Sequence, residues 1–297
     1  MHRRAVMSYV FVSLMLLAAS LAGGQGPGES SKFLRFNDLG EAGATLDSSI
    51  VRYRNAEGVV VDLIGAVHIG EAAYFQALSD RFDNYDALLF ELIKPVDGAV
   101  PGQPATRPAS APDRGATLRV VGGLQGFMKN VLKLSFQLEE INYHRRTFVH
   151  ADLDGETFAR LQDERGESMF VLMLRSIIQG SRNKNLARHA PGPMDILNAM
   201  RAPDRDRQLK LLLGRQMGDI DAMTQLLDGP RGSVILTERN SKAVEVLRQQ
   251  MKAGKRELGI FYGAAHMIGI EQMLLEMGFE QVGEPQWITA WDMRVGE

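Results

Sequence analysis

Two histidines in this chain share one local sequence pattern although they lie far apart. His68 ends the motif Gly-Ala-Val-His, and His266 ends the motif Gly-Ala-Ala-His. Each motif follows an apolar run typical of a buried strand and precedes a segment with helical spacing. Histidine is the commonest metal ligand in proteins and exchanges protons near neutral pH. A single histidine in a turn is more often structural, but two copies of the pattern among six histidines favour a shared functional site.

A carboxylate occupies a third position of the same kind. Glu91 follows the apolar run 87–90, which has the character of a short strand. In parallel α/β sheets, ligands bind at the carboxyl ends of the strands, so a polar residue there faces the site. Two imidazoles and one carboxylate can hold a divalent ion and leave a position open. The sequence therefore predicts a metal site made of His68, Glu91 and His266, with a solvent-facing Glu91 as the alternative.

Other polar residues near these motifs are candidates for substrate binding or proton transfer. Arg239 follows the apolar run 234–236, and its rigid guanidinium could bind a substrate carboxylate or an oxyanion. Weaker candidates for proton transfer are Glu71 and His150. Further candidates for substrate contact are Tyr143, Asp152 and Asn240. Each has a structural alternative: a surface arginine, a helix N-cap or a polar turn between helices.

Composition narrows the kinds of site that the chain can build. The 297 residues include no cysteine, which excludes thiol nucleophiles, disulfides and thiolate metal sites. The formal net charge is −2 and no long run of one sign occurs, so nucleic acid is not expected as a partner. The nucleophile elbow, the P-loop, the dinucleotide fingerprint and the His-Glu-x-x-His motif are all absent. The expected partner is a peptide or a small-molecule substrate.

The elements that must position these residues follow an α/β pattern. Strands are predicted at 49–54, 59–64, 87–92, 234–237, 258–262 and 286–291. Helices are predicted at 71–82, 124–142, 155–165, 168–180, 193–200, 204–227, 241–252 and 268–277. Segment 59–92 is a strand–helix–strand unit, which implies a parallel pair. We expect an α/β fold with a mixed or mostly parallel central sheet in two halves, separated by a large helical insertion at 118–228.

The predicted domain, 49–297, is preceded by segments of different character. Arg3 and Arg4 are followed by the apolar run 5–22 and by small residues, which is the pattern of a secretory signal over 1–24. Segment 25–48 is predicted to be a linker and an N-terminal extension. The Pro-rich segment 96–112 is predicted to be a surface loop. We therefore expect an exported protein, periplasmic or extracellular, that touches the membrane only if the signal is retained as an anchor.

The motifs, taken together, resemble those of the TraB/PrgY/GumN family, which is related to the Tiki proteases. The matching residues are the two Gly-x-x-His motifs, Glu91 and the run Glu238–Asn240, in the same order and spacing. The resemblance spans about 59–291. It implies an α/β fold with a helical insert and a site of two histidines and one glutamate beside an arginine. For the Tiki branch it implies metal-dependent peptide hydrolysis. The first motif departs from the family, in which Gly-Thr-x-His is commoner.

Three functional interpretations follow from the residues and the resemblance. The first is an exported hydrolase, a peptidase, that uses a divalent ion such as Mn, Co or Zn. The second is an esterase-like hydrolase without metal, in which His68 or His266 acts as the general base. The third is a non-enzymatic protein that binds a peptide, haem or a signal molecule. Metal content separates the first from the second, and turnover separates both from the third.

Overall fold

The centre of the fold is a mixed β-sheet. The computed structural model describes residues 31–93, 129–167, 192–218, 224, 228 and 232–296. The strands of these residues are β1 (Leu34–Asp38), β2 (Ala44–Asn55), β3 (Val60–Ala66), β4 (Ile69–Gly70), β5 (Ala87–Phe90), β6 (Ser135–Phe136), β7 (Phe148–His150), β8 (Glu257–Gly263), β9 (Phe279–Gln281) and β10 (Gln286–Asp292). The main sheet has the order β1-β2-β3-β8-β5-β7, and both β9 and β10 pair with β2. The α/β fold expected from the sequence is confirmed.

Helices flank this sheet. Those of the described residues are α1 (Ala72–Phe82), α2 (Gln137–Glu140), α3 (Gly155–Arg165), α4 (Pro193–Arg201), α5 (Arg205–Met217), a π-helix (Val234–Glu238), α6 (Arg239–Lys252) and α7 (Ala264–Glu276), with a 3-10 turn at Gly40–Ala42. Within the same part of the chain, no helix has the length and apolarity needed to cross a membrane. The predicted signal, the Pro-rich segment 96–112 and the predicted helix 168–180 lie outside the described residues.

One half of the sheet is parallel and carries the strand ends that build the site. β3 and β5 both pair in parallel with β8, and β5 pairs in parallel with β7. The strand–helix–strand unit of 59–92 is thus parallel, but its two strands are not neighbours because β8 lies between them. The sheet is therefore not divided into an N-terminal and a C-terminal half as predicted, because the late strand β8 lies between the early strands β3 and β5. The carboxyl ends of β3, β5 and β8 meet at one edge.

The other half of the sheet is antiparallel and is organised around the long strand β2. β2 pairs antiparallel with β1, β3, β9 and β10. The prediction that 25–48 is a linker and an extension is therefore wrong for β1 and the start of β2. Buried polar residues hid this strand, because Asp47, inside β2, interrupts the apolar pattern. Asp47 accepts hydrogen bonds from Arg35 Nε at 3.1 Å and from Thr289 Oγ1 at 2.9 Å, which makes its burial tolerable.

Apolar side chains fill the space on both faces of the sheet. Neighbouring residues of one strand belong to different core clusters, as Ile64 and Leu63 of β3 do. The first cluster takes the buried face of α1, which consists of Tyr74, Phe75, Leu78 and Phe82, as the helical spacing predicted. The second takes the apolar faces of α6 and α7. Full burial of one such side chain contributes about 1.5–3 kcal/mol, so the two layers hold the strand ends firmly.

The described part of the middle of the chain is only partly helical. α3 has the predicted bounds, because Asp154 caps its start through the amides of Glu156 and Thr157 and Gly166 ends it with a φ of 65°. Of the predicted helix 124–142, the described part is helical only at 129–130 and in the four-residue α2, because β6 interrupts it. β7, in the polar stretch 143–152, was not predicted as a strand.

The predicted strand 234–237 is a π-helix. A short apolar run cannot be assigned to a strand or to a buried helix from periodicity alone. Its start is fixed by Ser233, whose hydroxyl accepts a hydrogen bond from the amide of Leu236 at 3.0 Å. The π-helix runs directly into α6, so Arg239 and Asn240 lie in the first turn of α6, where both are buried. Short π-helical segments next to α-helices are frequent at functional sites.

Candidate functional site

The carboxyl ends of β3, β5 and β8 bring the two histidine motifs to one carboxylate. His68 lies just after β3, Glu91 directly follows β5, and His266 lies in the first turn of α7, after β8. The Nε2 atom of His68 is 3.8 Å from Oε2 of Glu91. The Nε2 atom of His266 is 3.6 Å from Oε1 of the same side chain. Both imidazoles therefore face Glu91, each beside a different oxygen.

The glycine of the second motif makes this close approach possible. The backbone amide of Gly263 donates a hydrogen bond to Oε2 of Glu91 at 2.7 Å. A Cβ atom on Gly263 would lie 2.7 Å from Nε2 of His68 and 3.3 Å from Oε2 of Glu91. The φ of Gly263 is −52°, which other residues adopt readily. Glycine is thus required here for space and not for backbone conformation.

A buried arginine holds the carboxylate from behind. Arg239 donates from Nε and Nη2 to the two oxygens of Asp152, at 2.9 and 2.6 Å. Its Nη2 also donates to Oε1 of Glu91 at 2.6 Å, and its Nη1 lies 3.4 Å from Nε2 of His266. Such two-pronged, charge-assisted bonds fix the geometry of both partners. The result is one rigid ionic cluster of Asp152, Arg239 and Glu91.

The ionisation states in this cluster follow from burial and charge. Burial acts to raise the pKa of Glu91, but the charge of Arg239 outweighs it, and the pKa lies well below the usual value. Burial acts to lower the pKa of Arg239, but Asp152 and Glu91 hold that pKa well above its usual value. Two carboxylates therefore face one guanidinium. With neutral imidazoles the cluster carries an excess of one negative charge, which favours a cation beside Glu91.

His266 is held in one orientation and in its neutral form. Its Nδ1 atom lies 2.7 Å from Oδ1 of Asn240. Because an amide oxygen only accepts, Nδ1 carries the proton and the lone pair of Nε2 points toward Glu91. Burial lowers the pKa of His266, which keeps the ring uncharged. The edge-on ring of Tyr262, with its centroid 5.2 Å away, packs against the imidazole.

His68 has an analogous support on its own side of the site. Its Nδ1 atom lies 3.0 Å from Oε1 of Gln137. Nε2 of Gln137 in turn donates to the hydroxyl of Tyr143 at 2.7 Å. The side chain of His68 is 22% exposed, whereas those of His266 and Glu91 are 5% and 7% exposed. His68 is therefore the member of the set that solvent and a substrate can reach.

The structure changes the roles that the sequence suggested for several residues. Arg239 is only 1% exposed, and its guanidinium is directed at Glu91 and Asp152, so that it positions Glu91. The polar atoms of Asp152, Tyr143 and Asn240 are similarly engaged within the network, on Arg239, Gln137 and His266 respectively. These three side chains hold the site in place from its interior.

The two candidates for proton transfer have other partners. Oε1 of Glu71 accepts from Nζ of Lys210 at 2.7 Å and from the amide of Asp292 at 3.0 Å. This pairing ties the start of α1 to α5 and β10. Nε2 of His150 lies 2.5 Å from the carbonyl oxygen of Leu92, which accepts its proton. These bonds show how each side chain is held, and proton transfer by Glu71 or His150 stays a prediction.

Two contributors to the site were not predicted from the sequence. Gln137 lies in a segment predicted as helix, and no motif marks it. The amide of Gly263 was inside a recognised motif, but its use as a donor to Glu91 depends on the order of the strands. The sequence signal for this second contributor was the glycine itself, since glycine permits close approach of the backbone to another group.

The donor chemistry at Glu91 suits a divalent ion, although no ready-made cage is present. Two neutral imidazoles and a carboxylate are a common ligand set for Zn²⁺ and related ions. The separations of 3.8 and 3.6 Å exceed slightly the roughly 3.3 Å expected between donors on a tetrahedral ion with bonds near 2 Å. Over the described ranges, no three His, Cys, Asp or Glu side chains form a group that could hold an ion as they stand.

Comparison with known proteins gives little further information. No family model matches the chain, and no solved structure matches it. The chain is similar to a curated protein described as "Allergen Ara h 1, clone P17" from Arachis hypogaea, with 25% identity over 207 residues. That match covers 63% of this chain but only 32% of the length of the allergen. A likeness of this extent does not show a family.

Proposed function

We propose that this chain is an exported, metal-dependent hydrolase whose ion is held by His68, Glu91 and His266. One observation carries the proposal: the Nε2 atoms of both histidines face the two oxygens of a single buried carboxylate. The Nδ1 atom of each histidine lies within hydrogen-bond distance of a side-chain amide oxygen. Metal-binding histidines in proteins almost always donate their second N–H to an oxygen in this way, which orients the ring and raises its basicity.

The chain's own residues would orient and shield the reaction. His68, Glu91 and His266 would hold a divalent ion such as Mn, Co or Zn, whose chemistry would be Lewis-acid polarisation of a carbonyl and activation of water. Arg239 and the amide of Gly263 hold the Glu91 carboxylate in one orientation, so little reorganisation is needed during turnover. His266 and Glu91 are shielded from solvent, which strengthens electrostatic interactions at the site. Substrate would approach from the partly exposed side of His68.

Two parts of the proposal rest on the sequence. Peptides are proposed as the substrate class because the motif set resembles that of the TraB/PrgY/GumN family and the related Tiki proteases. Export is proposed because segment 1–24 has the charge, apolar run and small residues of a secretory signal. Sequencing the N-terminus of the mature protein tests the export step. Intact Met1 on cytoplasmic material would contradict it.

A second candidate is hydrolysis without a metal ion. The observation in its favour is that Arg239 already neutralises the charge of Glu91. Its Nη2 bonds to Glu91, and its Nη1 lies 3.4 Å from Nε2 of His266, so the guanidinium takes the part that a metal ion would otherwise play. In that case His68 would act as the general base, with Glu91 stabilising its protonated form. The two candidates share the same residues and differ in their dependence on metal.

Elemental analysis of the purified mature protein, paired with a peptide-library cleavage assay, tests the proposal. We expect about one divalent ion per chain, cleavage that is lost with a chelator, and recovery with Mn²⁺, Co²⁺ or Zn²⁺. Cleavage that persists in chelator without bound metal would favour His68 as a general base. Bound metal without turnover of any library would favour a non-enzymatic binding protein.

Replacing Gly263 with alanine tests the close packing of the site. The added Cβ would lie 2.7 Å from Nε2 of His68, so the imidazole must move by several tenths of an ångström. We expect kcat/KM on the cleaved peptide to fall roughly 10- to 100-fold, because small displacements of reacting groups have effects of this size. Gly214→Ala is the matched control, since its Cβ would meet Met293 only at ordinary contact distance. Equal activity of the two variants would contradict the geometry.

A further inference from the structure

The two histidines of the site are supported by amides from different parts of the fold. Asn240, which supports His266, is in the first turn of α6 and lies in a stretch that the sequence had marked. Gln137, which supports His68, opens the short helix α2 in the middle of the chain. Both place an amide oxygen on an Nδ1 atom. The matching chemistry gives Gln137 a role like that of Asn240.

Gln137 contacts His68 through two hydrogen bonds. Its backbone amide donates to the carbonyl oxygen of His68 at 2.9 Å, and its side-chain oxygen lies 3.0 Å from Nδ1 of the same residue. The small sheet formed by β4 and β6 holds the two segments side by side, with Ile69 opposite Phe136. Gln137 is itself 5% exposed, so water does not compete for these bonds. Main chain and ring of His68 are thus fixed together.

Tyr143 bonds to the amide group of Gln137 on the side away from His68. Its hydroxyl accepts a hydrogen bond from Nε2 of Gln137 at 2.7 Å, which leaves Oε1 of the amide facing His68. The ring of Tyr143 is buried and packs against Phe90 and Phe148, with centroids 5.2 and 6.0 Å away. The hydroxyl therefore sits on a rigid support.

We propose that Gln137 is a positioning residue that imposes one tautomer on His68, with the proton on Nδ1 and the lone pair on Nε2. Tyr143 secures this arrangement by holding the amide. A free histidine side chain in water prefers the other tautomer, in which Nε2 carries the proton. Without Gln137, the lone pair would shift to Nδ1 and point away from Glu91. The benefit of this tautomer for metal binding rests on the proposed function. The tautomer of His68 can be measured whether or not that function is correct.

Nitrogen-15 NMR of the metal-free, full-length protein tests the tautomer directly. Spectra are recorded at alkaline pH, where imidazoles are neutral, and the signals of His68 are identified by their loss in His68→Ala. We expect the wild type to carry the proton on Nδ1 and Gln137→Leu to shift toward protonation at Nε2. Gln137→Glu, which keeps an acceptor oxygen, should retain the wild-type pattern. Gln216→Leu, at another buried glutamine in α5, is the matched control and should leave His68 unchanged.

Metal titration of the same proteins separates this inference from the proposed function. We expect Gln137→Leu to weaken Zn²⁺ binding about 10- to 100-fold, the usual effect of losing a partner of a metal-bound histidine, and Gln137→Glu to restore it. If the tautomer responds as described but no variant or wild type binds metal, the role of Gln137 stands and the metal-dependent function fails.

A wild-type His68 protonated at Nε2 would overturn the inference, because the amide would then be turned the other way. The same holds if Gln137→Leu leaves the tautomer unchanged. Should Gln137→Leu not fold, Tyr143→Phe removes a single oxygen atom and frees the amide to rotate. We expect that variant to show a mixture of tautomers, and a spectrum identical to wild type would count against the role of Tyr143.

Discussion

Under the proposed metal-dependent hydrolysis, Glu91→Gln is expected to remove nearly all activity while the protein stays folded. Glutamine has the same shape but is a poor metal ligand, and only one of its two terminal atoms can accept a hydrogen bond. Glu91 uses one oxygen for Arg239 and the other for the amide of Gly263. Loss of metal-ion assistance removes several kcal/mol of transition-state stabilisation. We therefore expect kcat/KM to fall by roughly a thousandfold or more.

The matched control for this variant is Glu271→Gln. Glu271 also accepts from a cation and from a neutral donor, namely Lys32 at 2.5 Å and the hydroxyl of Tyr53 at 2.6 Å. Both variants are assayed for peptide cleavage, metal content and circular dichroism. We expect Glu271→Gln to keep the metal and the activity. A Glu91→Gln protein that retains bound metal and more than about a tenth of wild-type kcat/KM, a loss of under 1.4 kcal/mol, would contradict the ligand role.

Arg239→Met is expected to produce the largest loss of stability of any single substitution at the site. Methionine fills much of the same volume but, in the metal-free protein, leaves Asp152 and Glu91 as buried carboxylates without a counter-charge. Removing one partner of a buried ion pair typically costs about 3–5 kcal/mol, because the charge that remains is neither paired nor hydrated. Urea unfolding followed by circular dichroism measures the free energy of unfolding for the variant and the wild type.

The matched control is Arg52→Met, which breaks a similar two-pronged pair with a more exposed arginine. Arg52 donates to Asp62 at 2.8 and 2.9 Å, but its side chain is 45% exposed. Asp62 also keeps the hydroxyl of Tyr85 at 2.9 Å. We expect a smaller loss than for Arg239→Met, because Asp62 is buried but keeps the Tyr85 hydroxyl, and the arginine that it loses is half exposed. Similar losses for Arg239→Met and Arg52→Met would show that the cluster around Arg239 is not electrostatically isolated from water.

A second substitution provides a further check on the Arg239 variant. Adding Asp152→Asn to Arg239→Met removes one of the two unpaired negative charges. We expect the double variant to be more stable than Arg239→Met alone, because the cost of the buried charge falls even though no contact is restored. An additive or greater loss in the double variant would mean that packing, and not charge, determines the effect.

The sequence was informative where local chemistry determines structure. The strand-then-glycine pattern before His68 and His266 correctly indicated that both lie near strand ends. The apolar spacing of α1 predicted its buried face, and the helix predicted at 155–165 has the bounds of α3, which Asp154 and Gly166 cap. In each case the physical cause, a turn, a cap or a one-sided apolar stripe, lies within a few residues of its effect.

The sequence was uninformative where the outcome depends on distant partners. Nothing near β3 or β5 indicates that β8 separates them. Asp152 has the surroundings of a polar turn, and only the buried guanidinium of Arg239 explains its position. Gln137 entered the site because β6 pairs with the two-residue strand β4, which is too short for any pattern to reveal. Sequence motifs identified the atoms near the reaction more readily than the residues that hold them.

The position of β8 has a consequence for how the chain matures. β3 and β5 are made early, but the strand that joins them comes from near the other end of the chain, at Glu257–Gly263. Contacts between residues so far apart in sequence form slowly, because a long loop must close first. Until β8 arrives, the facing edges of β3 and β5 have unpaired backbone groups that can recruit strands from other molecules. The pairing of β8 with both strands therefore completes the sheet and also brings Glu91 together with the two histidines.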